Sequence, residues 1–208
     1  MSRSHAALSD LQRSLGACRK CPNMIGPVVQ GRAVLSRLYL VGQAPGPHEG
    51  ELGRPFAWTA GKTLFRWFGT LGVQEEEFRS RVFMAAVARC FPGKAKNGGD
   101  RKPDPTEIEA CGAFLEEEIR LLQPKLLLPV GTMAIERVLG KKVALAEVVG
   151  RTLEATIAGV RCEVISLPHP SGASTWHRTE PGLGLLRKAL QRLGSHPEWR
   201  RVFGRQAA

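Results

Sequence analysis

Residues 38 to 56 read LYLVGQAPGPHEGELGRPF. The first four, Leu38 to Val41, form a short apolar run that is typical of a buried parallel strand, and a loop rich in glycine and proline follows at once. Ligands of open α/β sheets bind at the carboxyl ends of the strands. The stretch therefore predicts a strand that leads into a ligand-binding loop. A plain connector of the same composition is the alternative interpretation.

Outward from this stretch, strand and helix patterns alternate. The other predicted core strands are Val82 to Ala88, Lys125 to Val130 and the second arm of a hairpin within Arg151 to Leu167. The predicted helices are Ser4 to Ala17, Thr59 to Leu71, Thr106 to Leu122, Thr132 to Leu139 and Pro181 to Leu193. This order predicts an α/β fold, a three-layer α/β/α sandwich around a central four-stranded, mostly parallel sheet. Loops after the first and fourth strands then lie on the same side, and the tail from Gly194 is expected to pack loosely.

Length and composition fit a single domain over residues 1–208, because 43% of the 208 residues are hydrophobic. The longest apolar stretches are far shorter than the roughly 20 residues that a membrane span needs, so we expect a cytoplasmic, monomeric protein with no membrane partner. The formal net charge of +11 favours a polyanionic partner such as nucleic acid. A generally basic surface with no acidic partner is the alternative.

Five cysteines in a cytosolic chain point to metal binding or reactivity sooner than to disulfides. Cys18 and Cys21 form a C-x-x-C pair, and Cys90 and Cys111 follow, all in predicted loops or near element ends. Four thiolates suit either tetrahedral zinc or an iron-sulfur cluster, and the spacing does not separate the two. Buried free thiols are the bland interpretation. Cys162 lies inside a predicted strand and is expected to be a core residue.

Residues 42 to 61, GQAPGPHEGELGRPFAWTAG, resemble the first motif of the iron-sulfur uracil-DNA glycosylases of the family four class. That pattern runs GEAPG, several acidic residues, then GRPFVG and AG. The third cysteine after the second strand, the fourth within DPTEIEAC and the His169-Pro170 pair resemble the family too, and the similarity covers most of residues 15 to 190.

The resemblance implies a uracil-DNA glycosylase-like fold and a monofunctional enzyme that flips uracil out of DNA, excises it and leaves an abasic site. It also implies a structural 4Fe-4S cluster on Cys18, Cys21, Cys90 and Cys111. The expected partner is DNA containing uracil or another deaminated base.

Cleavage of the N-glycosidic bond leaves negative charge on the departing uracil. Hydrogen-bond donors aimed at the base O2 therefore lower the barrier. By position, the resemblance implies His169 as this donor and Phe56 as the ring that stacks on the flipped base. Gln43 and Glu49 complete the expected catalytic set. The substrate-binding residues that it implies are Gly42, Ala44, Gly46, Phe56, Ala86 and Ser171.

Contacts with the DNA are expected from two loops. In the loop from Ser171 to Arg178, Ser171 and Ser174 are expected to meet phosphates, and Trp176 is the bulky candidate for a wedge between bases. A Trp176 that packs its own loop is the alternative. The polar loop from Phe91 to Pro105 is either an arm facing the DNA or a solvated loop, and its basic residues are Lys94, Lys96, Arg101 and Lys102.

Two departures from the family pattern matter. Gln43 stands where the family has glutamate, which leaves Glu49 as the weaker candidate for stabilising the sugar cation or orienting water. Ala86 stands where the family has an asparagine whose amide pairs with the uracil edge, and neither of the chain's two asparagines lies in that strand. Three alternatives stay open: a glycosylase for hypoxanthine or xanthine, a non-catalytic DNA-binding relative, and a generic zinc-binding α/β protein.

Overall fold

A computed structural model describes residues 3–96 and 98–204. Its centre is a five-stranded sheet in the order β2-β1-β3-β5-β4, in which only β4 runs antiparallel to its neighbour. The strands are β1 (Leu38–Gly42), β2 (Phe83–Ala86), β3 (Leu126–Pro129), β4 (Thr152–Ile157) and β5 (Val160–Ile165). In the register of β1, Tyr39 is opposite Phe83 of β2 and Leu127 of β3.

Helices precede, connect and follow the strands, and only the hairpin between β4 and β5 lacks one. They are α1 (Arg3–Gly16), α2 (Glu49–Leu52), α3 (Thr59–Gly69), α4 (Glu75–Arg81), α5 (Pro105–Leu122), α6 (Thr132–Leu139), α7 (Leu145–Val148), α8 (Gly182–Ser195) and α9 (Pro197–Phe203), with one turn of 3-10 helix at Trp176–Arg178. The start of α5 is fixed by a capping box, because Asp104 accepts from the Glu107 N–H and the Glu107 carboxylate accepts from the Asp104 N–H. Among the described helices, none has the length and apolar character that crossing a bilayer requires.

The two faces of the sheet bury separate clusters of apolar side chains. Leu38 and Leu40 of β1 point into a cluster built mainly with α3, α8 and α9. Tyr39 and Val41 point to the opposite face, where α1 and α5 pack. Because neighbouring strand residues alternate between faces, one strand contributes to both clusters. The predicted three-layer α/β/α arrangement is therefore confirmed.

Two details of the prediction are wrong. The sheet has five strands and not four, because the first arm of the hairpin, β4, pairs along its whole length with β5 and extends the sheet at that edge. The tail from Gly194 is not loosely packed as far as the structure describes it. Trp199 of α9 is buried against Phe68, with 5.7 Å between ring centroids, and His196 caps the helix by accepting from the Glu198 N–H. Residues 205–208 of that tail lie outside the described residues.

The carboxyl ends of the central strands bring distant loops together. The Val130 N–H donates to the carbonyl of Val41, and the Gly131 N–H donates to the carbonyl of Leu167, at 2.9 Å each. The loop that carries His169 therefore begins beside the end of β3, and the loop after β1 begins on the other side of it. This arrangement places both loops on the same side of the sheet, as the strand order predicted.

Candidate functional site

A cleft of about 700 Å³ opens at the carboxyl ends of β1 and β2. Its walls come from the loop after β1, the start of α3, the segment after β2 and the loop after β5. Most of the predicted site residues lie in this one lining: Gly42, Gln43, Ala44, Gly46, Glu49, Phe56, Ala86, Lys94, Arg101, Lys102, His169, Ser171 and Ser174. Their roles stay predictions, but the fold brings them to a common cavity.

Phe56 is held in an unusual backbone conformation. Its φ of 53° lies in the left-handed region, which costs a bulky residue energy and persists only where surrounding contacts offset that cost. Arg79, buried in α4, stabilises this conformation by donating to the carbonyls of Pro55 at 2.8 Å and Phe56 at 2.9 Å. The Arg79 guanidinium also lies 4.6 Å from the centre of the Phe65 ring. Arg79 is not among the predicted site residues, because nothing in the local pattern distinguishes it from a surface arginine.

Two glycines make room for Phe56. A Cβ on Gly42 would lie 2.8 Å from Cζ of the Phe56 ring, and a Cβ on Gly61 would lie 1.7 Å from the Phe56 carbonyl oxygen. Gly42 therefore lets the ring lie directly over the end of β1. Gly61 lets the first turn of α3 pass beside the Phe56 backbone. Both glycines belong to the motif quoted above, and the steric contact explains why those positions need glycine.

Glu49 holds the loop after β1 in place. One carboxylate oxygen accepts from the Gly46 N–H at 2.7 Å, and the other accepts from the Ala57 N–H at 3.0 Å. Burial raises the pKa of Glu49, while these backbone hydrogen bonds oppose the rise. Glu49 thus joins the loop to the residue that follows Phe56. Gln43 is fixed differently: its carbonyl accepts from the Ala88 N–H at 3.0 Å, and its side chain makes no hydrogen bond within the part of the chain that is described.

His169 has its tautomer set by Ser171. The Nδ1 atom accepts from the Ser171 N–H at 3.3 Å and lies 2.9 Å from the Ser171 hydroxyl, so the proton of the neutral ring is on Nε2. Burial lowers the pKa of His169, and the neighbouring His177 lowers it further. Gly131 gives the ring room, because a Cβ there would lie 2.9 Å from its Cδ2. The contacts of Nδ1 therefore leave Nε2 as the donor atom of the ring, and the lowered pKa favours its neutral form.

Ala86 ends β2 inside the cleft and offers only a methyl group there. Its carbonyl accepts from the Nε of the buried Arg89 at 2.7 Å. At the position where the family pattern has an asparagine, this chain therefore offers no side-chain hydrogen bond.

The four cysteines singled out by the sequence lie together. Cys18, Cys21, Cys90 and Cys111 line a second pocket of about 340 Å³ between the loop after α1, the end of the segment after β2, and α5. Burial, with a contribution from the neighbouring thiols, raises the pKa of Cys90 to about 11 and also raises that of Cys21. Within the described residues, no group of three or more His, Cys, Asp or Glu side chains is spaced to hold a single metal ion.

Cys162 lies apart from this pocket. It is buried in β5, where its thiol is 3.7 Å from the carbonyl of Ala155 across the hairpin. The prediction that it is a core residue is confirmed.

Two basic residues of the loop after β2 already form ion pairs with nearby carboxylates. Lys94 pairs with Asp100 at 2.6 Å, and Arg101 makes a bidentate pair with Glu107 at 2.7 and 2.8 Å. Lys102 lines the cleft and makes no ion pair with any described residue. Arg101 therefore organises the loop, whereas the Lys102 ammonium is available to a ligand.

Two predicted DNA contacts, Lys96 and Trp176, are not in the cleft lining. The Trp176 side chain is half-buried and packs on the apolar cluster of its face of the sheet. A Cβ on Gly182 would lie 2.8 Å from its indole Cδ2, so the following helix passes close to the ring. This placement matches the second interpretation, in which Trp176 packs its own loop, and a role between bases stays a prediction.

An exposed aromatic pair that is not among the predicted site residues lies at the mouth of the cleft. Trp58 is 46% exposed, and its ring centroid lies 4.4 Å from that of His48. Both residues line the cleft. The signal was present in the sequence, because Trp58 falls where the motif GRPFVG has a small residue.

Comparison with known proteins agrees with this geometry. A family model described as the uracil DNA glycosylase superfamily matches residues 29–194. A type-4 uracil-DNA glycosylase of Pyrobaculum aerophilum is 32% identical over 171 residues, covering 79% of this chain and 83% of that protein. A type-4 uracil-DNA glycosylase of Thermotoga maritima is 32% identical, covering 74% of this chain and 76% of that protein. One of Archaeoglobus fulgidus is 27% identical, covering 79% of this chain and 82% of that protein. The family resemblance inferred from residues 42–61 is therefore confirmed.

Proposed function

The chain belongs to the uracil DNA glycosylase superfamily, and we propose that it is a monofunctional glycosylase that excises uracil from DNA and leaves an abasic site. The observation that carries the proposal is the hydrogen bond that the Ser171 N–H donates to His169 Nδ1, which leaves the ring proton on Nε2. A ring that is neutral and carries its proton on Nε2 is a hydrogen-bond donor without a net charge, and it lies in the same cleft as the Phe56 ring.

The proposed reaction is hydrolysis of the N-glycosidic bond. The bond between the sugar C1′ and the uracil N1 breaks, its electron pair leaves with the base, and the oxygen of a water molecule bonds to C1′. The water loses a proton to the solvent, and the departing uracil anion takes one up. Negative charge that develops on the base O2 is stabilised by the His169 Nε2–H. The ring of Phe56 stacks on the base once it has left the helix.

The loop after β1 supplies the rest of the base pocket. Backbone groups of Gln43, Ala44 and Gly46 approach the uracil edge, and the Gln43 side chain is the polar group that helps to place the water. The role that we assign to Glu49 is to fix this loop, since both of its oxygens accept backbone N–H groups. Its negative charge near the cleft also favours a positive sugar.

DNA is the proposed partner. The net charge of +11 favours a polyanion, and Lys102 and Ser174 lie along the cleft where a backbone phosphate enters. We expect uracil-containing DNA to bind with an affinity that falls as the salt concentration rises.

We further propose that Cys18, Cys21, Cys90 and Cys111 hold a 4Fe-4S cluster. Two observations support the fit: all four line one pocket, and the thiols of that pocket lie close enough to one another to raise the pKa of both Cys21 and Cys90. When bound, the cluster supplies iron-thiolate bonds that tie the loop after α1 to α5 and to the segment after β2. Its role is structural, because no described residue lines both the cysteine pocket and the cleft.

The lack of a side-chain amide at Ala86 suggests two further candidate substrates. A pocket that lacks the amide at this position cannot use it to reject other bases, so we propose hypoxanthine and xanthine as alternative substrates. Replacement Ala86→Asn supplies the missing amide and is expected to shift the preference toward uracil.

The test is a panel of oligonucleotides that each carry one uracil, hypoxanthine or xanthine, single-stranded or in a duplex. Purified protein is incubated with each under single-turnover conditions, and abasic sites are cut with alkali. Excision of uracil supports the principal proposal, and faster excision of a purine supports the second candidate. A protein that loads its cluster, binds DNA and cuts none of the panel contradicts both, and is then a non-catalytic relative.

A further inference from the structure

Trp58 leaves an indole exposed beside the proposed base pocket. It is 46% exposed, although a tryptophan buries more apolar area than almost any other side chain when it is covered. It immediately precedes α3 and is two residues beyond Phe56, which is only 8% exposed within the same cleft. The cleft thus has one aromatic ring inside it and one at its mouth.

Two neighbouring side chains contact the Trp58 ring. The His48 imidazole packs against it with an interplanar angle of 39° and a centroid distance of 4.4 Å, and the Lys62 ammonium lies 5.9 Å from the indole centroid. His48 belongs to the loop that Glu49 fixes, and Lys62 lies one turn into α3. The indole is therefore supported from two elements and lies next to a cation.

We propose that Trp58, supported by His48, is a stacking platform for the nucleobase next to the flipped nucleotide, with Lys62 meeting a phosphate of the same strand. The inference rests on the proposed function, since it takes Phe56 as the site of the flipped base. Every nucleobase has an aromatic face, so such a platform holds DNA without reading its sequence.

Stacking on Trp58 should also favour single-stranded DNA over duplex DNA. In a duplex the neighbouring base stays paired and stacked on its other neighbour inside the helix, so its face is harder for the indole to reach. In a single strand that face is free. Trp58 is therefore expected to increase the affinity for single-stranded DNA more than the affinity for a duplex of the same sequence.

The experiment measures binding of a fluorescein-labelled oligothymidylate and of the matching duplex by fluorescence anisotropy, with no uracil in either. Trp58→Leu keeps an apolar side chain but removes the aromatic ring, and it is expected to weaken single-strand binding about 5-fold to 150-fold. Trp58→Phe keeps a ring and should retain most of the affinity. Leu52→Ala is the matched control, because Leu52 is 47% exposed on α2 but does not line the cleft. Urea unfolding midpoints verify that all three variants are folded.

Single-strand affinity that is unchanged in Trp58→Leu, or lost equally on single strand and duplex, overturns the proposal. Excision of uracil by the unaltered protein is measured in parallel. If excision is absent while the Trp58-dependent binding persists, the proposed function fails and the stacking surface stands. If excision is present and binding is insensitive to Trp58, only the stacking surface fails.

Discussion

The guanidinium of Arg89 makes a bidentate ion pair with the carboxylate of Glu118, with N–O distances of 2.6 and 3.0 Å. Both side chains are almost completely buried, and the Tyr39 hydroxyl donates to the same carboxylate at 2.5 Å. Arg89 also lines the cysteine pocket and donates to the carbonyl of Ala86 in the cleft. One buried network therefore lies between the cysteine pocket and the proposed base pocket.

Glu118→Ala is expected to destabilise the protein by about 3 to 5 kcal/mol, because it leaves the Arg89 charge buried without its partner. The free energy of unfolding in urea measures the effect. Glu117→Ala is the matched control on the same helix, since Glu117 pairs with Arg120 at the surface and such pairs contribute about 1 kcal/mol or less. Similar losses in the two variants would show that the buried pair has no special importance.

Gly61→Ala and Gly69→Ala form a second matched pair, since both residues lie in α3. The new Cβ at position 61 would be 1.7 Å from the Phe56 carbonyl oxygen, whereas nothing lies within 4 Å of a Cβ at position 69. Gly61→Ala must displace the backbone of Phe56, and we expect a loss of about 3 kcal/mol or more together with weaker excision. Gly69→Ala should change stability by less than about 1 kcal/mol. Equal stability of the two variants, measured by urea unfolding, would contradict the packing described for Phe56.

Local sequence patterns predicted what is decided locally. The apolar run of β1 and the Gly-Pro loop each carry their own signal, and the alternation of strands and helices along the chain predicted the layers on both faces of the sheet. Most residues of the cleft lining were expected from the family resemblance, not from local patterns. The four cysteines were identified from residue type, and the pocket that joins them agrees with that reasoning.

Interactions between distant segments could not be predicted in the same way. Arg79 stabilises the Phe56 backbone from 23 residues away, and Arg89 meets Glu118 across 29 residues. The helix α9 was missed because Trp199 is buried only when α3 and α4 supply Phe68 and Phe78. A signal for it did exist, since Pro197 is followed by apolar residues at 199, 202 and 203, which is a helical spacing.

Cluster binding is tested by spectroscopy of single-cysteine variants. The proposed 4Fe-4S cluster gives absorbance at about 400 nm, which zinc does not give. Cys111→Ser removes one ligand and is expected to lose most of this absorbance and of the bound iron. Cys162→Ala should keep both, because Cys162 lies in β5 away from the pocket. Colourless protein that contains zinc instead would contradict the assignment.

The pH dependence of excision follows from the lowered pKa of His169. Burial and the neighbouring His177 oppose protonation, so the folded ring stays neutral as the pH falls through the ordinary value of about 6.5. The single-turnover rate is therefore expected to hold its plateau to below pH 6.5 and to fall only when the folded-state pKa is reached. Folding stability depends on pH in the same direction as the rate. The contribution of His169 to stability is complete above its unfolded-state pKa and is lost as the pH falls through its folded-state pKa. A rate that already halves at or above pH 6.5, with the step absent in His169→Ala, would contradict the neutral-donor assignment.

Stabilisation of the departing uracil by the His169 Nε2–H is tested by comparing single-turnover excision by the unaltered protein and by His169→Ala. The substrate is a single-stranded, uracil-containing oligonucleotide at saturating protein concentration. Loss of one such donor is expected to slow the chemical step about 100-fold to 1000-fold, while the affinity for the oligonucleotide changes little. A His169→Ala variant that excises uracil at the rate of the unaltered protein would contradict this role of His169.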